Sequence, residues 1–275
     1  MRQILWFRRD LRIRDNAILS HARGEILPIF IFDEHILSSL PKDDKRISFI
    51  YDSVLGLKKQ LQKIGLDLAI FYGKPFEIFN SLKDDFDEVL CSVDFDDYAK
   101  KRDKQVSEIL PLRRYLDSFI LNPGEHLKND QTPYKVFTPF YNSLDVLLSS
   151  SKIAEYQRNK KLRLAKFDYG KVPNLDLMGF EKQSLPNFCS EPLDRLLENF
   201  AQKIKRYKKD RDYFYKDATS KLSIHLRFGL ISPKQIFNYY KKIIGSDFFI
   251  RELFWREFYN YILFHNPKSE FENFN

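Results

Sequence analysis

The chain has 275 residues, 43% hydrophobic and 31% charged, which allows a sizeable core and excludes a disordered polypeptide. Forty-six basic against 38 acidic side chains leave a net charge of +8, compatible with a nucleic-acid partner but not specific for one. Cys91 and Cys189 are too few and too far apart for a disulfide framework or a zinc site, and no run approaches the roughly 18 apolar residues of a membrane span.

The cysteine usage, and an N-terminus without a signal-like apolar run, point to a reducing cytoplasm. Short apolar runs at Gln3–Phe7, Glu25–Phe32, Asp67–Tyr72, Glu88–Val93 and Asp117–Leu121 read as strands. The second lacks alternation, as expected for a strand covered on both faces. Over Asp44–Ile64, the spacing of Ile47, Ile50, Val54, Leu57, Leu61 and Ile64 predicts an amphipathic helix, stopped by Gly65. Weaker helical patterns cover Pro75–Leu82 and Tyr98–Leu110. This alternation predicts a five-stranded, parallel, doubly wound (Rossmann-like) α/β domain over about residues 1–125. Such sheets bind ligands at the carboxyl ends of their strands. The segment after the first strand, Arg8-Arg9-Asp10-Leu11-Arg12-Ile13-Arg14-Asp15, holds neither a GxGxxG nor a P-loop motif. On composition alone it reads as a solvated, internally paired loop.

Residues 126–190 read as a connector, in which Ser149-Ser150-Ser151, a basic segment and scattered prolines and glycines break the periodicity. A helical pattern resumes in an all-helical region over 191–275, with Leu193, Leu196, Leu197, Phe200 and Ile204 on one face. The densest positive cluster follows, from Lys203 to Arg211 around Tyr207. It suits a solvated helix end and a phosphate-facing surface equally well. Next, Thr219-Ser220-Lys221-Leu222-Ser223 gathers three hydroxyls and an ammonium, the chemistry of a phosphate or pyrophosphate grip or of a capping turn. Ser232-Pro233 starts a helix with Ile236, Phe237, Tyr240, Ile243 and Ile244 as its stripe and Gly245 as its stop. On the last helix, Ser246–His265, spacing places Glu252, Trp255, Arg256 and Tyr259 on one face. Either Glu252 and Arg256 form an ion pair with Trp255 packed beside it, or the face is a wall on which a base stacks.

Several separated segments resemble, in order, the DNA photolyase/cryptochrome family: WFRRDLRIRDNAIL (Trp6–Leu19), VDFDDYAKKRD (Val93–Asp103), TPYKVFTPF (Thr132–Phe140), TSKLS with HLRFG, and RELFWREFYNYIL (Arg251–Leu263). The resemblance implies an antenna domain followed by the start of a helical FAD-binding domain. It further implies light-driven repair of cyclobutane pyrimidine dimers in DNA by electron transfer from reduced FAD, in a monomer. By this likeness Tyr207, Thr219, Ser220, Lys221, Leu222, Ser223 and Phe249 would contact FAD. Arg211, Glu252, Trp255, Arg256 and Tyr259 would face the substrate, with Trp255 stacking on the dimer and Glu252 on a base edge. An antenna pigment, folate or deazaflavin in type, would sit in the α/β domain, although Asp96-Asp97-Tyr98 departs from the Glu-containing version of folate binders. His225 reads as structural. No His pair follows Arg227, which favours the cyclobutane over the (6-4) substrate. The family's helical domain continues past Asn275, so segments holding the flavin ring and the photoreducing tryptophan chain are expected outside this chain. The isolated chain is accordingly expected to bind flavin weakly or not at all. The rivals are a cryptochrome-like blue-light photoreceptor and a non-enzymatic nucleotide- or nucleic-acid-binding fragment.

Overall fold

The computed structural model describes residues 1–150 and 152–274; Ser151, in the serine run of the expected connector, and Asn275 lie outside the described residues. The first half opens with β1 (Arg2–Phe7), α1 (Ala17–His21), β2 (Glu25–Asp33) and α2 (Glu34–Leu37). It continues with α3 (Lys45–Gln62), β3 (Ala69–Gly73), α4 (Pro75–Leu82), β4 (Glu88–Ser92), α5 (Asp97–Ser107) and β5 (Leu112–Tyr115). Every strand pair is parallel, in the order β3-β2-β1-β4-β5, so the doubly wound arrangement stands. Side chains alternate between two cores. Leu5 and Phe7 of β1 and Ile26, Phe30 and Phe32 of β2 enter one, while Ile4, Trp6, Leu27, Ile29 and Ile31 enter the other.

A sixth strand, β6 (Arg163–Leu164), pairs β2 at Glu25 and Ile26, whereas β3 pairs it only from Ile29 to Asp33. Pro28 falls in the gap between these partners, where its missing N–H breaks no ladder bond on that side. The fifth strand is not Asp117–Leu121, as the sequence pattern suggested, but Leu112–Tyr115. Residues 117–121 turn toward the helical half instead, where the Ile120 and Leu121 amides donate to Glu257 at 2.9 and 3.2 Å.

The second half comprises α6 (Phe137–Asn142), α7 (Asp145–Ser149), α8 (Asn187–Ser190), α9 (Leu193–Lys203), a 3-10 turn (Ile204–Arg206) and α10 (Tyr207–Asp210). It ends with α11 (Ser223–Arg227), α12 (Pro233–Tyr240), α13 (Asp247–His265) and a second 3-10 turn (Pro267–Glu270). Its core joins Phe137 and Phe140 of α6 to Phe200, Phe237, Tyr240 and Phe254. Phe137–Ser149, expected within an irregular connector, is therefore helical and packed into this core. Ser232 caps α12 through a full capping box with Gln235. That helix ends at Tyr240, short of Ile243, which still packs against the helical core, and of Ile244, which is exposed.

The segment after β1 joins the two halves; apart from the exposed Arg14 it is buried or half-buried, and its ion pairs reach other segments of the chain. Asp10, Arg12 and Asp15 are buried. Arg8 pairs with Asp103 at 2.5 Å, Arg9 with Asp94 at 3.0 Å, and Arg12 with Asp117 at 2.6 Å. The Leu11 amide donates to the Phe228 carbonyl (3.2 Å), and Arg12 donates to the Gly229 carbonyl (3.1 Å). Ser232 donates its hydroxyl to Asp15, which also accepts from the Tyr156 amide at 2.6 Å. Arg8, Arg9 and Arg12 are thus each matched by a carboxylate, whereas Asp10, among the described residues, accepts only from the Arg8 amide at 2.7 Å, and burial raises its carboxyl to about 7. Gly229 has φ +68°, and a Cβ there would stand 2.0 Å from the Arg9 carbonyl oxygen, so only glycine fits.

Candidate cofactor and nucleic-acid site

The carboxyl ends of β1 and β2 meet the loop after β4 and α11 around a cavity of about 550 Å³. Its walls are apolar, with Phe32, Leu37, Ile47 and Phe228 among them, while Arg9, Asp94 and Asp96 supply ionic groups. This is where the strand order reverses around β1, the expected crevice of a doubly wound sheet. Beneath it the guanidinium groups of Arg8 and Arg102 lie over the Trp6 ring at 4.8 and 4.7 Å. Both are balanced by Asp103. Burial would raise the Asp103 carboxyl, but Arg8 and Arg102 hold it below the usual carboxylate range. Burial pushes the neighbouring Cys91 thiol up to about 11, so it stays protonated. Asp96 caps α5 by accepting from the Ala99 amide at 2.7 Å, and Tyr98 donates to Asp33 at 2.5 Å.

A second cavity, of about 300 Å³, is lined by Thr219, Ser220, Lys221, Lys203 and Asp217 together with Phe200 and α8 residues. Lys203 forms an ion pair with Asp217, and Lys221 lies 3.7 Å from the same carboxylate. Lys221 holds φ +56°, an uncommon conformation for a side-chain-bearing residue, which turns the loop into α11. Two hydroxyls and two ammonium groups line one hollow, a donor set that suits a diphosphate once Asp217, which holds both lysines, yields them; Glu191 lines the same hollow.

The remaining sequence candidates divide. Ser223 faces the first cavity, not the second. Leu222 is buried, its side chain packed in the helical core. Phe249 is likewise a core residue, with ring centroids 4.7 Å from Phe200 and 5.1 Å from Tyr240. Tyr207 packs edge-on against Phe200 at 5.4 Å, and burial raises its phenol pKa. His225 is buried against the edge of Phe49, and burial lowers its pKa, in keeping with a structural role.

On α13 the Glu252–Arg256 ion pair, one of the two arrangements that spacing allows, does not form. Glu252 pairs instead with Arg211 of the neighbouring segment at 2.7 Å. Arg256 leaves the shared face and donates to the Ser118 carbonyl at 2.7 Å, with Phe119 under its guanidinium. The junction between the halves offers that carbonyl, and Arg256 is the side chain that reaches it. Glu252, Trp255 and the exposed Tyr259 remain together, with Trp255 and Tyr259 rings 5.7 Å apart. One face of the Trp255 indole is covered by Phe137, stacked at 3.7 Å and 12°, and Arg251 lies over the Phe137 ring at 5.2 Å. Sequence spacing could not reveal this stack, because Phe137 lies more than a hundred residues away. The lining of the larger cavity was signalled only by the rule that strand ends bind ligands.

Residues 3–157 match the DNA photolyase family model. The chain is 27% identical over 99% of its length to a deoxyribodipyrimidine photo-lyase of Halobacterium salinarum, covering 63% of that protein. It is 29% identical over 94% of its length to a chloroplastic/mitochondrial cryptochrome DASH of Arabidopsis thaliana, covering 52% of it. The fold superposes on a crystal structure of a bacterial class III photolyase from Agrobacterium tumefaciens with a TM-score of 0.82 and 26% identity, over 99% of this chain and 61% of that one. The chain thus spans between half and two-thirds of the length of each.

Proposed function

The chain belongs to the DNA photolyase family, and from that premise we propose that it serves the light-driven splitting of cyclobutane pyrimidine dimers in DNA. The observation that carries the proposal is the joining of a hydroxyl- and ammonium-lined hollow to the helix that bears Glu252 and Trp255: Phe200 lines the hollow and packs on Phe249 of α13 at 4.7 Å and on Tyr207 at 5.4 Å. Thr219, Ser220, Lys203 and Lys221 would hold the diphosphate of FAD; Tyr207 and Phe249 would stiffen the hollow's aromatic floor from within the core. FAD, when bound and reduced, supplies the electron that opens the dimer on illumination. Trp255, its indole held flat by Phe137, would stack on an extruded base, Glu252 would accept base N–H donors, and Tyr259 would border the opening. Arg211 would release Glu252 and meet a backbone phosphate, and Arg256 would fix α13 against the sheet. The larger cavity would take a planar antenna pigment, since about 550 Å³ with apolar walls and an ionic rim suits such a ligand.

The same proposal assigns an α/β unit to about residues 1–125 and a helical unit from 191, to which Phe137–Ser149 contributes. It takes the active form to be a cytoplasmic monomer. Among the described residues, no helix is long and apolar enough to cross a membrane.

The test uses a dimer-containing oligonucleotide with the chain, FAD and a reductant, under blue light and in darkness. Light-dependent return of intact thymines, lost in Trp255→Ala and Glu252→Ala, is the expected result. Repair that is absent, or equal in the dark, would sink it. The cryptochrome DASH likeness favours a second reading, a blue-light photoreceptor; light-induced spectral change without repair would select it.

A further inference from the structure

Immediately after Arg211, the loop Tyr213-Phe214-Tyr215 carries three consecutive aromatic side chains, all exposed. Phe214 is completely exposed and Tyr215 is 81% exposed. The loop is nevertheless well built. The Tyr213 amide donates to the Asp210 carbonyl at 3.2 Å, and the Lys216 amide donates to the Tyr213 carbonyl at 2.9 Å. Lys216 also pairs with Asp210 at 2.7 Å and lies over the Tyr213 ring at 4.7 Å. A turn closed by these bonds holds its apolar rings in solvent instead of folding them back.

Around it the charge is one-sided. Between Lys205 and Lys216 there are six cationic side chains against two carboxylates, a surplus of 6 − 2 = 4 positive charges in twelve residues. Two copies of this chain meeting through the loop would bring like charges together, which disfavours self-association there. Planar rings interleaved with cations fit a strand of bases and phosphates.

We propose that Tyr213–Tyr215 is a stacking platform for unpaired bases, gripping a nucleic-acid strand beside the position of the extruded base. The proposal rests on the reading of α13 as facing DNA, because Arg211 leads into the loop and touches Glu252 of that helix. It extends the partner from duplex to locally opened strand: the rings take base faces, while Lys208 and Lys209 take phosphates.

The test is fluorescence anisotropy in darkness with a labelled, dimer-free oligothymidylate of about twelve nucleotides, using the full chain. Phe214→Ala and Tyr215→Ala are each expected to weaken binding about tenfold, that is by ~1.4 kcal/mol, with the salt slope unchanged, as for the loss of one stacked base. Joint replacement of Lys208 and Lys209 by Ala should lower the salt slope by about 1.4. An abasic strand of the same length should bind the unaltered chain about as weakly as the intact strand binds the ring variants. Three results would overturn the proposal: less than twofold loss in both ring variants, equal binding of the abasic strand, or equally effective competition by polyglutamate. Because Phe214 is fully exposed, its removal leaves the fold intact. Dimer repair is measured separately under light, so a failure of the repair reading and a failure of the platform give different patterns.

Discussion

Replacing Gly229 by alanine tests the junction at its tightest point. With φ +68°, an alanine there pays ~1–2 kcal/mol for the left-handed conformation alone. Its Cβ would also lie 2.0 Å from the Arg9 carbonyl oxygen and 2.6 Å from the Asp10 Cα. Both atoms are backbone, so no side-chain rotation relieves the clash. The chains must separate, at ~1–3 kcal/mol for a forced shift in a packed interior. Separation also stretches the Leu11–Phe228 and Arg12–Gly229 hydrogen bonds, worth about 1 kcal/mol each. Together these give a loss of about 4–7 kcal/mol. The same change at Gly56, in the interior of α3 with no atom within 4 Å of a new Cβ, should instead stabilise by ~0.5–1 kcal/mol. Urea unfolding of both variants should therefore move the midpoint in opposite directions. A Gly229→Ala loss below about 1 kcal/mol would show that the loop after β1 does not seat on the helical half as described.

Burial raises the Glu257 carboxyl to about 7 from its ordinary 4.5. The folded state thus keeps a proton that the unfolded state sheds, and stability falls as pH rises from about 4.5 to 7. Glu257→Gln, whose amide oxygen can still accept from Ile120 and Leu121, should flatten that decline and gain up to ~3 kcal/mol at pH 8; an unchanged pH profile in denaturation would refute it. Asp103→Asn leaves Arg8 and Arg102 buried without their counter-charge and should cost about 3–5 kcal/mol by thermal unfolding. In a Trp6→Phe background, Phe137→Leu should shift Trp255 emission to the red and cost ~1 kcal/mol of aromatic contact; an unshifted spectrum would mean that the stack does not hold the indole.

The doubly wound order follows from apolar runs alternating with helical periodicity, and α4 lies where the sequence placed it. The fifth strand was misplaced because Phe119, Ile120 and Leu121 carry a strand-like apolar signal. That apolarity serves the contact with α13, whereas the true edge strand is the polar Leu112–Tyr115. The arginines after β1 were misread for a related reason. Composition cannot show that Asp94 from the loop after β4, Asp103 from α5 and Asp117 from the segment after β5 arrive to neutralise them. At the candidate site, the hydroxyl-rich loop was visible as chemistry, but its division between two cavities was not, since that depends on Lys221 turning left-handed. The spacing along α13 suggested one polar face; long-range partners, Arg211 for Glu252 and Ser118 for Arg256, split it.

The junction also sets an order of events during synthesis. Arg12 finds Asp117 after 105 residues, but its bond to Gly229, and that of Asp15 with Ser232, each span 217 positions. At the ribosome's ~5–20 residues per second, the later partners emerge roughly 10–40 s after the loop does. In that interval the five sheet strands can pair and the Arg12–Asp117 bridge can close, because all their residues are already present. Asp15 has the Tyr156 amide within reach earlier, but its second oxygen waits for Ser232. The chain would therefore close in two stages, a sheet first and then a seal drawn across it by Gly229–Ser232, and the seal is the slow, high-contact-order step.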